Sequence, residues 1–248
     1  MITKIGSENL RNLEEIRALI QGVIDLVKNN IDEILARRFD INIKPDNSPV
    51  TAADLFIENL IHCYLVERVP GIVLVSEEMA SNMPEVTSEG YYAILDPIDG
   101  TENFCSGLKE WGVSLTLWHG AFHLGSLLYM PELNQSLMTG DTLIPVRSRI
   151  RGFSSSFCPE ILQGISEPQE SRIMGCAVYN LFNVIRGSFA RFSNPCGAYA
   201  WDLLPGLMLA REHHCIIEVE GEPYYGKFLR PSGKYRIDIW HRYDLHNR

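Results

Sequence analysis

The sequence predicts a layered α+β fold, and three observations support this prediction. The chain has 248 residues, a length that suits one large domain or two closely packed halves. Helical and extended patterns follow one another without a strict strand–helix–strand rhythm, which disfavours a purely parallel sheet. Three extended segments joined by short turns predict consecutive antiparallel strands over 112–118, 121–130 and 135–139. Because no linker-like segment interrupts the pattern, we expect residues 1–248 to form a single domain whose two halves divide near residue 146.

The composition is that of a globular protein. Hydrophobic residues make up 46% of the chain and charged residues 21%. The longest apolar runs, such as Ile72–Val75, are far shorter than the roughly 20 residues that cross a membrane. The segment 1–11 is polar and does not have the pattern of a secretion signal. We therefore expect a cytoplasmic protein without a membrane partner.

The net charge restricts the class of ligand. The chain carries 31 acidic and 22 basic residues, for a net charge of −9. No cluster of basic residues offers a surface for a nucleic-acid backbone, so we expect no nucleic-acid partner. An anionic ligand of this protein has to be bound by something other than a basic surface.

The first half begins with a long amphipathic pattern. Apolar residues recur every three or four positions from Leu10 to Ile34, which predicts a helix over about 7–38 with Ser7 as its N-cap. Thr51 and Asp54 have the spacing of a capping box and predict a second helix that ends near Val69. The other predicted segments of this half are an extended stretch over 39–43, a loop over 44–49, and buried strands over 72–75 and 91–95.

The second half starts near Arg147 and mixes shorter elements. Apolar periodicity and glycine stops predict two helices, and runs of apolar residues predict four strands. The expected helices are 179–186 and 201–213, and the expected strands are 172–174, 189–192, 216–219 and 234–241.

Acidic residues stand at the ends of several predicted elements. Two of the groups follow strands and two stand at helix starts, and side chains at strand ends converge where ligands bind in sheet proteins. We therefore expect one site built from these carboxylates. The residues are Asp54, Glu77 and Glu78, Asp96 and Asp99, and Asp202.

The segment Asp96–Thr101, with the sequence Asp-Pro-Ile-Asp-Gly-Thr, is the most specific of these groups. A turn at its proline can aim the carboxylates of Asp96 and Asp99, together with the carbonyl of Ile98, at one point. Ligands that are all oxygen suit Mg²⁺ or Mn²⁺ and not zinc. If a helix begins after Gly100, its free N–H groups can hold a phosphate.

Each acidic group has an ordinary structural interpretation when it is taken alone. A Glu-Glu pair is usually solvated surface, and Thr51 with Asp54 is usually a helix cap. Asp202 alone is a first-turn acid that the helix dipole favours. The combination, in this order along one chain, favours a functional site.

The four motifs together resemble the inositol monophosphatase family, which consists of Mg²⁺-dependent, lithium-sensitive phosphomonoesterases related to fructose-1,6-bisphosphatase. The similarity in order and spacing extends over nearly the whole chain. Residues 46–54 and 76–78 are especially similar to the branch of 3′(2′),5′-bisphosphate nucleotidases, whereas 101–104 is nearer the inositol monophosphatase form. The motifs are Ser-Pro-Val-Thr-Ala-Ala-Asp (48–54), Ser-Glu-Glu (76–78), Asp-Pro-Ile-Asp-Gly-Thr (96–101) and Trp-Asp (201–202).

The resemblance implies a fold, a cofactor and roles for the matching residues. The fold would be an αβαβα sandwich, and the protein would be a homodimer. The cofactor would be two or three Mg²⁺ ions per site, with Mn²⁺ as a substitute. Thr101 and Asp54 would form a hydrogen-bonded pair that orients the attacking water, and the amides of Gly100 and Thr101 would contact the phosphate. The metal ligands would be Glu77, which would also hold any third ion, Asp96, the carbonyl of Ile98, Asp99 and Asp202.

The substrate side departs from the family pattern. Cys176 stands where relatives have Ser or Thr, and Asn194-Pro195 occupies the region where inositol-specific members place a Glu that contacts sugar hydroxyls. The segment 139–151 is short where relatives carry a longer Gly-rich hairpin, and the tail after Gly226 is unusual. We expect Cys176 and Asn194 to contact substrate and to leave the metal chemistry unchanged.

These observations predict one catalytic domain with phosphoric monoester hydrolase activity towards a small phosphorylated metabolite, through two-metal activation of water. The metal ions would bind the anionic substrate in place of a basic surface. A 3′(2′),5′-bisphosphate nucleotidase is the alternative within the superfamily, and a non-catalytic metal- or phosphate-binding homologue is the alternative outside enzymes. Because two residues and not one separate Asp96 from Asp99, a haloacid-dehalogenase mechanism with a covalent Asp nucleophile is disfavoured.

Overall fold

The structure is a computed structural model that describes residues 12–44, 49–78 and 89–241. The helices are α1 (Leu13–Asn29), α2 (Ile31–Ala36), α3 (Ala52–Arg68), α4 (Thr101–Cys105), α5 (Pro159–Ile165), α6 (Ala177–Ile185) and α7 (Ala200–Glu212). The strands are β1 (Ile41–Ile43), β2 (Pro49–Thr51), β3 (Val73–Ser76), β4 (Tyr91–Asp99), β5 (Gly112–His119), β6 (Phe122–Met130), β7 (Gln135–Met138), β8 (Arg151–Phe153), β9 (Ser171–Ile173), β10 (Arg191–Tyr199), β11 (Ile216–Val219), β12 (Glu222–Pro223) and β13 (Lys234–Trp240). Among these helices, none has the length and apolar character that a bilayer crossing requires.

A five-stranded sheet is formed by the first half of the chain, in the order β3-β4-β5-β6-β7. β3 is parallel to β4, and the other neighbours are antiparallel. The three consecutive antiparallel strands that the sequence predicts are β5, β6 and β7, so this prediction is confirmed. α1 and α3 pack against this sheet through contacts with β6 and β4.

A six-stranded sheet is formed by the second half, in the order β12-β11-β13-β10-β8-β9. β8 lies parallel to both β10 and β9, and the remaining pairs are antiparallel. The register between β10 and β13 is irregular between Asn194 and Ala198. Pro195 falls in this stretch, where its missing N–H does not break a regular ladder.

The helices α6 and α7 lie between the two sheets. α7 contacts β4, β5 and β6 on one side and β10, β11 and β13 on the other. Neighbouring positions of β8 face opposite sides, because Gly152 approaches Asn180 of α6 whereas Phe153 contacts Gly164 of α5. The layers therefore follow the order α1 and α3, sheet, α6 and α7, sheet, α5, which confirms the layered α+β fold.

Hydrophobic residues form two clusters. One packs α1 and α3 against the first sheet. The other fills the space between the sheets and combines residues such as Ile94 and Leu128 with Leu204 and Ile239. The two halves of the chain thus share this second cluster, while the division near residue 146 stays a prediction.

The long helix predicted over 7–38 is wrong in its extent. Ser7 lies outside the described residues, and Asn12 caps α1 by accepting a hydrogen bond from the Glu14 N–H at 3.1 Å. The helix is then interrupted at Asn30, whose side chain donates to the Leu26 carbonyl at 2.8 Å, and α2 follows as a separate helix. Asparagine competes in this way with the helical backbone for hydrogen bonds, which explains the break.

The other element boundaries agree with the prediction to within one or two residues, except at two strands. β4 continues four residues beyond the predicted end at Leu95, and β10 runs over 191–199 in place of the predicted 189–192. Most of the predicted 44–49 loop lies outside the described residues. The short elements β2, β8, α5 and β12 were not predicted, because segments of two to seven residues carry little periodicity.

Candidate active site

Asp54 lies in the first turn of α3 and completes the capping box that the sequence predicts. Its Oδ2 accepts hydrogen bonds from the Thr51 N–H at 2.8 Å and from the Thr51 hydroxyl at 2.6 Å. Burial raises the pKa of Asp54 to about 6, although both hydrogen bonds from Thr51 oppose this rise, and the charges of Glu78 and Glu77 add to it. The cap therefore fixes a buried carboxyl group close to the glutamates that follow β3.

Glu77 and Glu78 follow the last residue of β3, and both bind Lys44. The Lys44 Nζ lies 2.7 Å from Glu77 Oε1 and 2.8 Å from Glu78 Oε1. Burial lowers the pKa of the Lys44 ammonium, but the hydrogen bonds and charges of the two glutamates outweigh burial and raise the pKa above its usual value. Lys44 was not among the predicted site residues.

β4 carries both Asp96 and Asp99, and it bulges between them. Asp96 pairs with Ser114 and Asp99 pairs with Gly112, so three steps along β4 oppose two steps along β5. A bulge of this kind bends the strand and redirects its side chains. The Ile98 N–H donates to Asp96 Oδ1 at 3.0 Å and holds the bend.

Gly100 and Thr101 connect this strand to α4, which begins at Thr101 and so meets the condition set for a phosphate contact at this position. Gly100 has a φ of 82°, and an added Cβ would lie 2.9 Å from the Cβ of Cys176, so both conformation and space require glycine. The Thr101 hydroxyl donates to the Ile98 carbonyl at 2.9 Å.

The expected hydrogen bond between Thr101 and Asp54 is not formed between these two described residues. Each group has instead a partner three positions away in sequence, Ile98 for Thr101 and Thr51 for Asp54. Local partners of this kind close only a short loop, so they compete well with a partner from another element. The predicted hydrogen bond between Thr101 and Asp54 is therefore wrong for this structure.

Asp99 is 8% exposed and is bound by the start of α6. It accepts hydrogen bonds from the Cys176 thiol at 2.9 Å and from the Val178 N–H. Burial raises the pKa of Asp99 in spite of these hydrogen bonds. Burial and the Asp99 charge raise the pKa of the Cys176 thiol well above its usual value, so Cys176 remains protonated and donates to Asp99.

Asp202 lies in the first turn of α7, where its Oδ2 accepts a hydrogen bond from the Tyr199 N–H at 3.0 Å. Burial raises the pKa values of Asp202 and Asp96 well above their usual range. The negative charges of Glu77 and Asp99 raise both pKa values further. Buried carboxylates that repel one another are stabilised by a shared cation.

Three of the five predicted metal ligands converge, and Asp99 and the Ile98 carbonyl are not part of this group. One ligand atom from each of Glu77, Asp96 and Asp202 can be chosen so that all three lie within 4.8 Å of one another. Over the described ranges, this is the one group of three or more His, Cys, Asp or Glu residues with such spacing. Because these donors are all oxygen, the group fits a hard divalent cation.

A cavity of about 210 Å³ adjoins the carboxylates. Its walls include Asp99 and Asp202 as well as the two predicted substrate contacts, Cys176 and Asn194. Asn194 is 4% exposed, and its Oδ1 has no hydrogen-bond partner in the part of the chain that the structure describes. The structure therefore brings the predicted substrate residues to the predicted metal ligands.

Several residues of this cavity were missed by the sequence analysis. No local sequence pattern marks these residues as part of a site. Ser154 lies in an irregular segment after β8, and Lys234 comes to the cavity because its strand pairs with β10. Lys234 pairs with Tyr199, and its Nζ lies 4.7 Å from the centre of the Tyr199 ring. The missed residues are Ser154, Ser155, Ser156, Asn180, Tyr199 and Lys234.

The protein thus combines a layered fold with a group of carboxylates that fits a cation, and this group lies beside a small polar cavity. The sequence model of the inositol monophosphatase family matches residues 12–238, and the chain belongs to this family. Members of the family are phosphatases, so the prediction of a phosphoric monoester hydrolase is confirmed at this level.

Two relatives illustrate the range of similarity. The inositol-1-monophosphatase of Mesorhizobium japonicum is 26% identical over 199 residues, which cover 71% of this chain and 74% of that protein. The 3′(2′),5′-bisphosphate nucleotidase CysQ of Escherichia coli O157:H7 is 34% identical over 122 residues. That match covers 47% of this chain and 49% of CysQ, so the chain matches about half the length of this relative.

Solved structures confirm the fold. The Thermotoga maritima IMPase TM1415 superposes with a TM-score of 0.75 at 19% identity and covers 92% of this chain and 93% of its own. An IMPase/NADP phosphatase complexed with Mg²⁺ and phosphate superposes with a TM-score of 0.75 at 18% identity, over 93% of this chain and 92% of its own.

Proposed function

We propose that the chain is a Mg²⁺-dependent phosphomonoesterase that hydrolyses a small phosphorylated metabolite by direct attack of water. The observation that carries the proposal is the convergence of Glu77, Asp96 and Asp202 within 4.8 Å, beside a cavity that Asp99 also lines. The name of the Mesorhizobium relative and the Mg²⁺ and phosphate of the superposed complex support it.

The side chains of Glu77, Asp96, Asp99 and Asp202, with the carbonyl of Ile98, would hold the Mg²⁺ ions. When bound, such ions supply a water nucleophile at neutral pH and offset charge on the leaving oxygen. Four ionised carboxylates carry about four negative charges, which two divalent ions would balance. This balance allows an acidic protein to bind an anionic substrate.

Thr101 is the residue we assign to the orientation of the attacking water. Its hydroxyl donates to the Ile98 carbonyl at 2.9 Å, so the hydroxyl oxygen keeps its lone pairs for a hydrogen bond from water. The role expected for Asp54 would require the Thr101 hydroxyl to donate its one hydrogen to Asp54 in place of the Ile98 carbonyl, since both bonds from Thr51 end on Asp54 Oδ2. The N–H groups of Gly100 and Thr101, at the open start of α4, would contact the phosphate.

The leaving group would lie against Cys176 and Asn194. The cavity of about 210 Å³ is smaller than the roughly 300–1,000 Å³ of pockets for drug-sized ligands, which favours a compact metabolite. Asn194 offers a neutral amide in place of a carboxylate that would accept hydrogen bonds from sugar hydroxyls. A missing polar partner costs about 1–3 kcal/mol, so we propose broad activity without a strong preference for inositol 1-phosphate.

A 3′(2′),5′-bisphosphate nucleotidase is the second candidate, and one feature of the cavity favours it. Lys234 lines the same cavity as Asp99 and Asp202, and its ammonium is a suitable partner for a second phosphate. The 34% identity to CysQ over 122 residues also supports this candidate.

A phosphate-release screen with Mg²⁺ tests both candidates. The substrates are inositol 1-phosphate, adenosine 3′,5′-bisphosphate and glucose 6-phosphate, and an Asp96→Asn variant serves as the inactive control. We expect kcat/KM values that lie within about a hundredfold of one another, given the cost of one missing polar partner. A larger preference for inositol 1-phosphate would refute broad activity, and one for the bisphosphate would favour the nucleotidase. Release from none of a wide substrate panel would support a non-catalytic binding protein.

Two further properties belong to the proposal. We propose a cytoplasmic location, which fractionation of the source cells tests. We also propose a homodimer, and light scattering coupled to gel filtration tests it by comparing the measured mass with the 28.1 kDa of one chain.

A further inference from the structure

Lys44 binds two acidic side chains at the edge of the carboxylate group. Its Nζ lies 2.7 Å from Glu77 Oε1 and 2.8 Å from Glu78 Oε1. The Lys44 and Glu78 side chains are only 21% and 10% exposed. Ion pairs with two partners and little contact with water are held more firmly than surface pairs.

The backbone that carries Lys44 is fixed to the site. Lys44 directly follows β1, and β1 pairs with β2 through the register Ile43↔Pro49 and Ile41↔Thr51. Thr51 is in turn the cap of α3 and the hydrogen-bond partner of Asp54. The backbone next to Lys44 is therefore connected through β1 and β2 to the start of α3, which carries Asp54.

Glu77 takes part both in the carboxylate group and in the ion pair with Lys44. It is a member of the 4.8 Å group with Asp96 and Asp202, and it is also a partner of Lys44. If the ammonium were absent, Glu77 and Glu78 would face a common point with two like charges. Two neighbouring carboxylates without a cation are the arrangement that attracts a divalent ion.

We infer that the Lys44 ammonium occupies the place between Glu77 and Glu78 where a third divalent ion would otherwise bind. The inference rests on the proposed function, because it assumes ions at the main carboxylate group. It limits the site to two divalent ions. A tethered ammonium donates hydrogen bonds but offers no open coordination position, so it holds Glu77 in place without contributing to water activation.

Mn²⁺ binding to the full chain tests this inference independently of activity. Free Mn²⁺ is measured by electron paramagnetic resonance, and binding is measured in parallel by isothermal titration calorimetry. We expect two Mn²⁺ per chain for the wild type and three for Lys44→Met. Lys44→Arg, which keeps the charge, should bind two. Lys28→Met removes the same charge from an exposed position at the end of α1 and should also bind two.

The outcomes separate this inference from the proposed function. Three Mn²⁺ on the wild type would overturn the inference, and that result does not depend on the folding of any variant. Two Mn²⁺ with unchanged affinity on Lys44→Met would also overturn it, while leaving the metal-dependent phosphatase intact. A wild type that binds no Mn²⁺ at all would contradict the proposed function itself.

Discussion

At the scale of single residues, the carboxylates of the site were predictable and their partners were less so. Asp99 ends β4 and Asp202 lies in the first turn of α7, as the sequence indicates, whereas Asp96, expected just after a strand, lies within β4. Whether the Thr101 hydroxyl donates to Ile98 or to Asp54 depends on competition between a local and a distant acceptor for one hydrogen, and no sequence pattern shows the outcome. Lys44 and Glu77 are 33 positions apart, and their contact depends on the folded sheet.

Asp99→Asn and Thr101→Ala separate metal binding from water orientation. Asp99→Asn should abolish phosphate release and weaken Mn²⁺ binding, because a ligand charge is lost. Thr101→Ala should reduce turnover by about 10²–10⁴-fold, as is typical of groups that position a proton transfer, and should leave Mn²⁺ affinity unchanged. Calorimetry with Mn²⁺ and a phosphate-release assay measure both effects. Equal loss of metal by the two variants would show that Thr101 is misassigned.

His123 should make the protein sensitive to acid. Its imidazole packs against Trp118 and bonds Ser126 at 2.7 Å. Burial, with a smaller effect of the Arg211 charge, lowers its pKa from 6.5 to about 4. Between pH 6.5 and pH 4, the His123 imidazole therefore stays neutral in the folded protein, whereas it binds a proton in the unfolded protein. The free energy of unfolding should fall as pH decreases from about 6.5 towards 4, and the contribution at pH 5 is about 2 kcal/mol.

Urea unfolding of the wild type and His123→Gln at pH 7 and pH 5 measures this contribution. The wild type should lose about 2 kcal/mol more than the variant between the two pH values. The lost hydrogen bond to Ser126 affects the variant at both pH values, so it cancels in the comparison. Equal losses would show that His123 is not held neutral in the folded state.

At the scale of elements, caps and turns were predictable, while interruptions and very short segments were not. The capping box of Thr51 and Asp54 follows from local sequence, and the start of α4 after Gly100 was considered as a condition for phosphate contact. The break at Asn30 lies within an apolar pattern that continues on both sides, so periodicity predicts one helix in place of two. Gly22 is a poor helix former within α1, and its close contact with Tyr64 of α3 explains why a glycine is needed there.

Gly22→Ala tests the close contact between α1 and α3. An added Cβ would lie 1.7 Å from the Tyr64 hydroxyl oxygen, which itself donates to the Leu19 carbonyl at 3.2 Å. Tyr64 must move, and overpacking of this kind costs about 1–3 kcal/mol. This cost should exceed the gain of up to about 1 kcal/mol from the better helix former.

The matched background for this substitution is Tyr64→Ala. In that background the added methyl group meets no ring, so Gly22→Ala should become neutral or stabilising by up to about 1 kcal/mol. Urea unfolding of the four proteins gives the coupling between the two positions. The same effect of Gly22→Ala in both backgrounds would contradict the packing explanation.

At the scale of the whole molecule, the fold and the site depend on one another. The two sheets enclose α6 and α7, so that α7 brings Asp202 to the end of β4, and α6 brings Cys176 to Asp99. Hydrophobic periodicity predicted a layered α+β fold but not this order of layers, which came from the resemblance to the family. The cavity wall formed by Ser154, Asn180 and Lys234 could not be predicted, because three segments distant in sequence meet only in the folded protein.

The central claim is that this acidic site needs divalent cations in order to hydrolyse phosphomonoesters. The most direct measurement is phosphate release from the best substrate of the screen, before and after exhaustive chelation and after Mg²⁺ is restored, with the melting temperature followed in parallel. We expect turnover to be lost on chelation and recovered with Mg²⁺. Mg²⁺ should also raise the melting temperature, because it binds the folded state and offsets the repulsion among Glu77, Asp96 and Asp202. Full activity after chelation would contradict the account.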